Sequence, residues 1–236
     1  MLLSNKGIYT ILIMRISIIG TNGLLSDSIG RYCNRNNIQL DMYGLSAPEK
    51  HKYNNFYKVN LVNEQLSFNT IIKTDMIIYA VGGGIQSNLN ESSDLIYKLN
   101  VSIPVSVCNN LKSLNYTGAF ISFGSYFEIG ENSDNKFFTE QELVQSQNKV
   151  VNDYSVSKRM FSRYISSISL PFKTLHFILP TIYGENESKH RLIPYTINAL
   201  KSNSDIEFTS GEQVRQYIYI DEIAEIIIRA LHKNIT

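Results

Sequence analysis

Tyr154 and Lys158 stand four residues apart in Tyr154-Ser155-Val156-Ser157-Lys158, which on a helix puts a phenol and an ammonium on one face. A fixed positive charge beside a phenol favours the phenolate and lowers its pKa, so the pair predicts a tyrosine able to give and take a proton. The spacing alone has little force. With 15 tyrosines and 14 lysines in 236 residues, chance supplies about one such pair. Its weight rests on the elements that position it.

Arg15-Ile16-Ser17-Ile18-Ile19 reads as a buried strand, and Gly20-Thr21-Asn22-Gly23-Leu24-Leu25-Ser26 turns it into a helix reaching about Asn36. Glycines at such a turn let the backbone approach a pyrophosphate, which the positive helix N-terminus stabilises. Gly20, Asn22, Gly23, Leu24 and Leu25 are therefore candidate dinucleotide contacts. A second strand over Ile38–Tyr43 ends in Gly44-Leu45-Ser46, with Lys50 close behind. An NAD site usually has an acid at this end for the adenosine ribose, and Asp41 counts inside the strand instead. A hydroxyl from Ser46 and a nearby cation suit a 2′-phosphate. NADP is the expected cofactor, with NAD as the alternative.

Further strands are expected at Phe56–Leu61, Asp75–Ala80, Ala119–Phe123 and Phe172–Ile178, and helices at Asn63–Ile72, Ser92–Leu114 and around Tyr154. The fourth strand ends in Val81-Gly82-Gly83-Gly84 and the fifth in Gly124-Ser125, followed by a long loop over Glu128–Gln147. This alternation predicts an α/β fold, a Rossmann-type doubly wound parallel sheet. Three parts follow: residues 1–13 as an N-terminal extension, 14–179 as the dinucleotide-binding domain, and 180–236 as a small, shortened C-terminal substrate lobe. The lobe is read as a helix at Ile193–Leu200, strands at Ile206–Thr209 and Arg215–Ile220, and a final helix from Asp221.

Bulk properties exclude several classes. Net charge is +1, with 43% hydrophobic and 18% charged residues, ordinary for a globular protein and without the basic stripe of a nucleic-acid binder. Cys33 and Cys108 have no metal-ligand spacing and build no disulfide framework, so a reducing cytoplasm is expected. His51, His176, His190 and His232 are scattered, and no metal site is assigned. The apolar run Ile8–Met14 after Lys6 imitates a signal peptide but is short and lacks a small-residue cleavage site before Arg15. It is too short to span a membrane, and none is expected as a partner.

With these elements in place, the chain resembles the extended short-chain dehydrogenase/reductase family, in the NAD-dependent epimerase/dehydratase branch acting on nucleotide sugars. The residues that carry the likeness are "GTNGLLS", "FISFGSYFEIG", "YSVSK", "RLIPYTINAL" and "GEQVRQYIYIDEIA", spread from Met14 to the C-terminus. The resemblance implies a catalytic group of Ser125, Tyr154 and Lys158. Ser125 would bond the reacting sugar oxygen, Tyr154 would exchange its proton, and Lys158 would tune Tyr154 and hold the nicotinamide ribose. It also implies an adenine pocket at Asn60 and Leu61, nucleotide contacts at Ala80, Gly82 and Gly83, and further cofactor-site positions at Asn100 and Ile178. Substrate contacts fall on Tyr126, Arg191 and Arg215, the last gripping a diphosphate as a planar bidentate donor. Asn60, Leu179 and Gln216 depart from the residues usual in the family. Homodimerisation through the helices around Asn100 and Tyr154 is implied as well.

The same comparison selects among reactions. Members of the branch that eliminate water carry an Asp-Glu pair directly after the serine position; here those positions are Tyr126 and Phe127. Glu128 comes one residue later, and on a strand that offset faces the other side. Reduction of a 4-keto-6-deoxy nucleotide sugar with NADPH is the expected activity, supported by the likeness of "GSYFE" to synthases of CDP- or dTDP-linked deoxysugars. An epimerase with tightly held NAD is the alternative. The lobe after Pro180 is shorter than in relatives, which also keeps open a small-lobed enzyme, a site completed by a partner subunit, or a dinucleotide-binding sensor without turnover.

Overall fold

The computed structural model describes residues 14–85, 90–132, 136–212 and 214–232. The expected N-terminal extension lies outside these residues. Six parallel strands form one sheet in the order β3-β2-β1-β4-β5-β6: β1 (Arg15–Ile19), β2 (Gln39–Gly44), β3 (Asn55–Lys58), β4 (Met76–Tyr79), β5 (Ala119–Ser125) and β6 (Lys173–Leu179). The order reverses direction between β1 and β4, which opens a crevice at their carboxyl ends. A separate two-stranded parallel ribbon pairs β7 (Thr181–Tyr183) with β8 (Tyr217–Tyr219).

Alternation along each strand builds two cores. Ile16, Ile18, Met76, Ile78, Ala119, Ile121 and Phe123 face one side, onto Ile29 and Cys33 of α1 (Leu24–Arg35) and Ile223, Ala224 and Ile227 of α8 (Ile220–His232). Ile19, Ile77, Tyr79 and Phe120 face the other, onto Val107, Cys108 and Leu111 of α4 (Ile103–Ser113) and Phe161 of α6 (Asp153–Ser167). Most of these strand side chains are fully buried, and each aliphatic one contributes about 1.5–3 kcal/mol.

Helix α8 comes from the far end of the chain yet lies in the helical layer of the Rossmann sheet. Its apolar residues Ile220, Ile223, Ala224, Ile227 and Ile228 recur at helical spacing and are buried. Asp221 in its first turn accepts from Ser28 at 2.8 Å and from Arg31 at 3.1 Å. At its other end Lys173 donates to the carbonyls of Ala230 and Leu231, satisfying C-terminal acceptors that the helix leaves open.

Some expected elements differ. The helix over Asn63–Ile72 shrinks to α2 (Phe68–Ile71), because Asn60 Oδ1 accepts from Val62 N and Glu64 Oε2 from Asn60 N, closing a local turn in its place. Ile206–Thr209 forms no strand: it finds no pairing partner among the described residues and stays largely exposed, and strand propensity without a neighbour does not hold an extended backbone. The helix over Ser92–Leu114 does form, as α3 (Ser93–Tyr97), one π turn (Lys98–Ser102) and α4 in unbroken succession. The long loop contains a 3₁₀ turn (Tyr126–Ile129) and a short helix α5 (Glu140–Gln145). The remaining helix of the lobe is α7 (Leu192–Ser202).

Candidate active site

The glycine turn after β1 is shaped by close backbone approach. Gly20 has φ +108°, and a methyl there would lie 3.0 Å from Val81 Cγ2 and 3.1 Å from the Ala80 carbonyl carbon, so the turn can press against the end of β4 only as glycine. Gly23 then caps α1, with its N–H donated to Ser26 Oγ at 3.0 Å. Leu24 and Leu25 pack half-buried against the α1 core. Asn22, in the left-handed region at φ 58°, reaches sideways: its amide donates to Ser46 Oγ (3.0 Å) and Ala47 O (3.1 Å), and its Oδ1 accepts from Glu49 N. The side chain thus clamps the loop after β2 to the glycine turn.

Lys50, read as a cation for a 2′-phosphate, lies 3.6 Å from the buried carboxylate of Asp27 in the first turn of α1. Asp41 is inside β2 as counted, fully buried and gripped by Arg15 at 2.7 and 2.9 Å. Among the described residues no carboxylate stands at Gly44, Leu45 or Ser46.

On the other side of the crevice, Asn100 occupies the π turn and is buried. Its Oδ1 accepts from Gly83 N at 2.9 Å, while its amide donates to Gly83 O and Ser157 Oγ, both at 2.9 Å. Ser157 in turn donates to the Tyr154 carbonyl at 2.8 Å. One asparagine therefore locks the glycine loop after β4 to the helix that carries the tyrosine. Asp153 adds an anchor at that helix's first turn, accepting from Ser93 (2.5 Å) and Tyr97 (3.1 Å) of α3. Gly84 fits against the Tyr154 Cβ, which a methyl would meet at 3.2 Å.

Ser125, Tyr154 and Lys158 come together at the end of β5. Ser125 is the last strand residue and its hydroxyl caps the 3₁₀ turn, close enough to the Tyr154 phenol to act on its proton. Lys158 lies under the ring, 5.9 Å from its centre, and donates to the Phe123 carbonyl at 2.9 Å. Burial pushes the Tyr154 phenol up; the Ser125 hydrogen bond and the Arg191 charge pull it down, and Glu128 and Tyr126 raise it further. Lys158 is held beside the ring by its hydrogen bond to the Phe123 carbonyl. Burial in turn lowers the Lys158 ammonium to about 8, with the Glu128 charge acting the other way.

The other positions fall into two groups. Tyr126 packs its ring against Phe127 at a tilt and accepts from Thr181, joining the 3₁₀ turn to β7. Arg191, the N-cap of α7, pairs with Glu187 at 2.8 Å and is near enough to act on the Tyr154 phenol. Arg215 lines a cavity of 530 Å³ with Leu192, Ile193, Phe208 and Tyr217. Asn60 and Leu61 form the turn after β3, and Ala80 and Gly82 follow β4. Ile178 pairs in register with Gly124 and lines a different cavity, of 910 Å³, between α6 and α5.

Sequence reading passed over Ser157, Ser162, His176 and the inward role of Glu128. Glu128 is fully buried on a 3₁₀ turn rather than a strand, with Oε1 2.7 Å from Ser125 N. A Ser-x-x-Glu capping box at Ser125–Glu128 was the available signal.

The crevice fits a dinucleotide: a left-handed glycine pressed against β4, a helix N-terminus directly behind it, and a glycine loop opposite. Comparison with known proteins agrees. The family model for the NAD dependent epimerase/dehydratase family matches residues 16–235, and the chain belongs to that family. Over 132 residues it is 31% identical to the CDP-abequose synthase of Yersinia pseudotuberculosis, a match spanning 55% of this chain and 41% of that protein. Matched regions thus span under half the length of such relatives. Among solved structures, the UDP-N-acetylglucosamine 4-epimerase of Methanobrevibacter ruminantium superposes with TM-score 0.75 at 17% identity, over 93% of this chain and 73% of the other. The dTDP-glucose 4,6-dehydratase of Bacillus anthracis, in complex with NAD, gives 0.72 at 17% identity, over 93% and 72%. These likenesses show the same fold.

Proposed function

We propose that the chain is a nucleotide-sugar oxidoreductase that reduces the 4-keto group of a 6-deoxy nucleotide sugar. The observation that carries this reading is the pairing of Ser125 with the Tyr154 phenol at the end of β5, followed by Tyr126 and Phe127 where elimination of water needs an acid and a base. The relatives named CDP-abequose synthase support a CDP-linked sugar as substrate.

A nicotinamide dinucleotide bound in the crevice would supply the hydride. Gly20, Gly23 and the N-terminus of α1 would hold its pyrophosphate, with Ala80 and Gly82 beside it. As negative charge develops on the sugar oxygen, the Ser125 hydroxyl donates a hydrogen bond to it and Tyr154 gives up its phenolic proton. Burial keeps that proton on Tyr154 until an alkoxide asks for it. Lys158, charged below about pH 8, stabilises the phenolate left behind. Arg215 and Arg191 offer the cationic wall that a nucleoside diphosphate needs.

NADPH is proposed as the reductant, on the missing carboxylate after β2. A homodimer through α4 and α6, where Leu114 and Met160 stand about half exposed, belongs to the same proposal. Purified protein, NADPH and a panel of CDP-, dTDP- and UDP-linked 4-keto-6-deoxysugars provide the test. Consumption of NADPH with one of them is the expected result, and none with any member of the panel refutes it. A second reading, an epimerase with retained NAD, is favoured by the engagement of Lys50 with Asp27. NAD carried through purification and released on denaturation would select it.

A further inference from the structure

The loop after β2 and the glycine turn after β1 meet through hydrogen bonds whose directions can be assigned. Asn22 Oδ1 accepts from the backbone N–H of Glu49, and the Asn22 amide donates to the Ala47 carbonyl. Turning that amide over would set donor against donor and acceptor against acceptor, so its orientation is fixed. The third bond then runs one way: Asn22 donates to Ser46 Oγ at 3.0 Å. Ser46 accepts with a lone pair, and its own hydroxyl hydrogen is left to point elsewhere. Among the described residues no acceptor takes that hydrogen.

The end of β2 beside it has no room for an acid. A methyl at Gly44 would lie 2.6 Å from Thr21 Oγ1 and 3.0 Å from Thr21 Cγ2. The Thr21 side chain fills the place from which a carboxylate would reach a ribose hydroxyl. Nearby carboxylates are engaged elsewhere: Asp41 by Arg15 and Asn55, Asp27 by Lys50, and Glu64 by the Asn60 N–H.

A cation stands on the neighbouring strand. Lys58 is the last residue of β3 and pairs in register with Gly44. Residues paired across parallel strands project from one face of the sheet, so the Lys58 stem leaves on the Thr21 side. It is exposed, and among the described residues it forms no ion pair. The strand ends thus offer a donor and a positive charge without a side-chain acceptor. A ribose 2′-hydroxyl has a hydrogen to give and no carboxylate to take it. A 2′-phosphate has acceptor oxygens and negative charge, and both features suit it.

We propose that Ser46 and Lys58 form a seat for the 2′-phosphate of NADP(H), and that Asn22 is the positioning residue that keeps the Ser46 hydroxyl a donor. The proposal rests on the reading of this crevice as the cofactor site of a reductase, and names the residues that make its choice of cofactor.

Calorimetry on the intact protein, freed of bound nucleotide, tests the seat without any sugar. The ligands are NADPH, NADH and the fragments 2′,5′-ADP and 5′-ADP. Wild type is expected to bind NADPH about tenfold tighter than NADH, and 2′,5′-ADP tighter than 5′-ADP by a similar factor. Ser46→Ala and Lys58→Met each weaken NADPH and 2′,5′-ADP by about tenfold and leave NADH and 5′-ADP unchanged. Ser46→Thr and Lys58→Arg keep the preference. Asn22→Asp puts an acceptor where the amide donated; Ser46 turns its hydrogen inward, and the preference for NADPH falls as in Ser46→Ala. Should that variant fail to fold, Asn22→Ala takes its place, with a smaller loss of the same preference. Equal weakening of NADPH and NADH at Asn22 overturns its positioning role. A wild type that prefers NADH overturns the seat together with NADPH as reductant. A preference for NADPH that survives both Ser46→Ala and Lys58→Met overturns the seat alone. Failure of every sugar in the panel, with the preference present and lost in these variants, refutes the proposed reaction and supports the seat.

Discussion

The two walls that face Tyr154 are built by different means. On the cofactor side, the glycine loop, the π turn and α6 are tied by buried hydrogen bonds through Asn100 and Ser157, over strands whose side chains are fully buried. On the side proposed for the sugar, α7 and the segment up to β8 leave Leu192, Tyr195, Ile197, Leu200 and Phe208 between 44 and 76% exposed. A buried polar lock is costly to break because each orphaned group loses water as well as its partner. A half-exposed wall is cheap to alter, so on the proposed function it can change substrate while Ser125, Tyr154 and Lys158 stay in place.

That contrast can be broken most sharply at the tyrosine. Tyr154→Phe is expected to lower kcat by about 10³-fold with dinucleotide affinity unchanged, measured by steady-state kinetics and calorimetry. Weakened dinucleotide binding would instead make Tyr154 part of the wall. Asn100→Ala is expected to destabilise the protein by about 2–4 kcal/mol in urea unfolding, since it strands Gly83 N–H, Gly83 C=O and Ser157 together. A loss below about 0.5 kcal/mol, the level of an ordinary surface change, would show that the cofactor wall is no firmer than the other.

The pH dependence of stability tests the same wall from beneath. His176 is held at about 3 against an ordinary 6.5. The unfolded chain therefore takes up a proton between those values that the folded chain refuses. Stability from this residue is complete above pH 6.5 and is lost as pH falls toward 3. His176→Gln should make urea midpoints fall less steeply over that window, and an unchanged slope would place the charge penalty elsewhere. The smallest effect on folding is expected on the sugar side: Arg215→Ala raises KM for the nucleotide sugar by about tenfold and leaves the unfolding midpoint unchanged. A large drop in that midpoint would mean that Arg215 holds the lobe together.

Much of the frame was legible before any coordinates. β1, the glycine turn and α1 follow from an apolar run, two glycines and a helical pattern, all within neighbouring residues. The Tyr154–Lys158 helix was equally plain. Less legible were the small elements: Asn60 closes a turn where a helix was expected, and Ile206–Thr209 stays irregular for want of a neighbour. The pairing of Lys50 with Asp27 was not legible, because Asp27 is 23 positions earlier and meets it only through folding.

By itself, then, the sequence determined the alternation of strands and helices, the glycine turn and the helix that carries Tyr154 and Lys158, because each depends on periodicity or spacing within one element. Tertiary structure alone decided how that pair is tuned. Lys158 bonds a carbonyl 35 residues away, Glu128 turns inward, and Asn100 joins two loops to one helix. Burial and through-space charge are properties of what surrounds a residue, and that is set only when distant parts of the chain close over it.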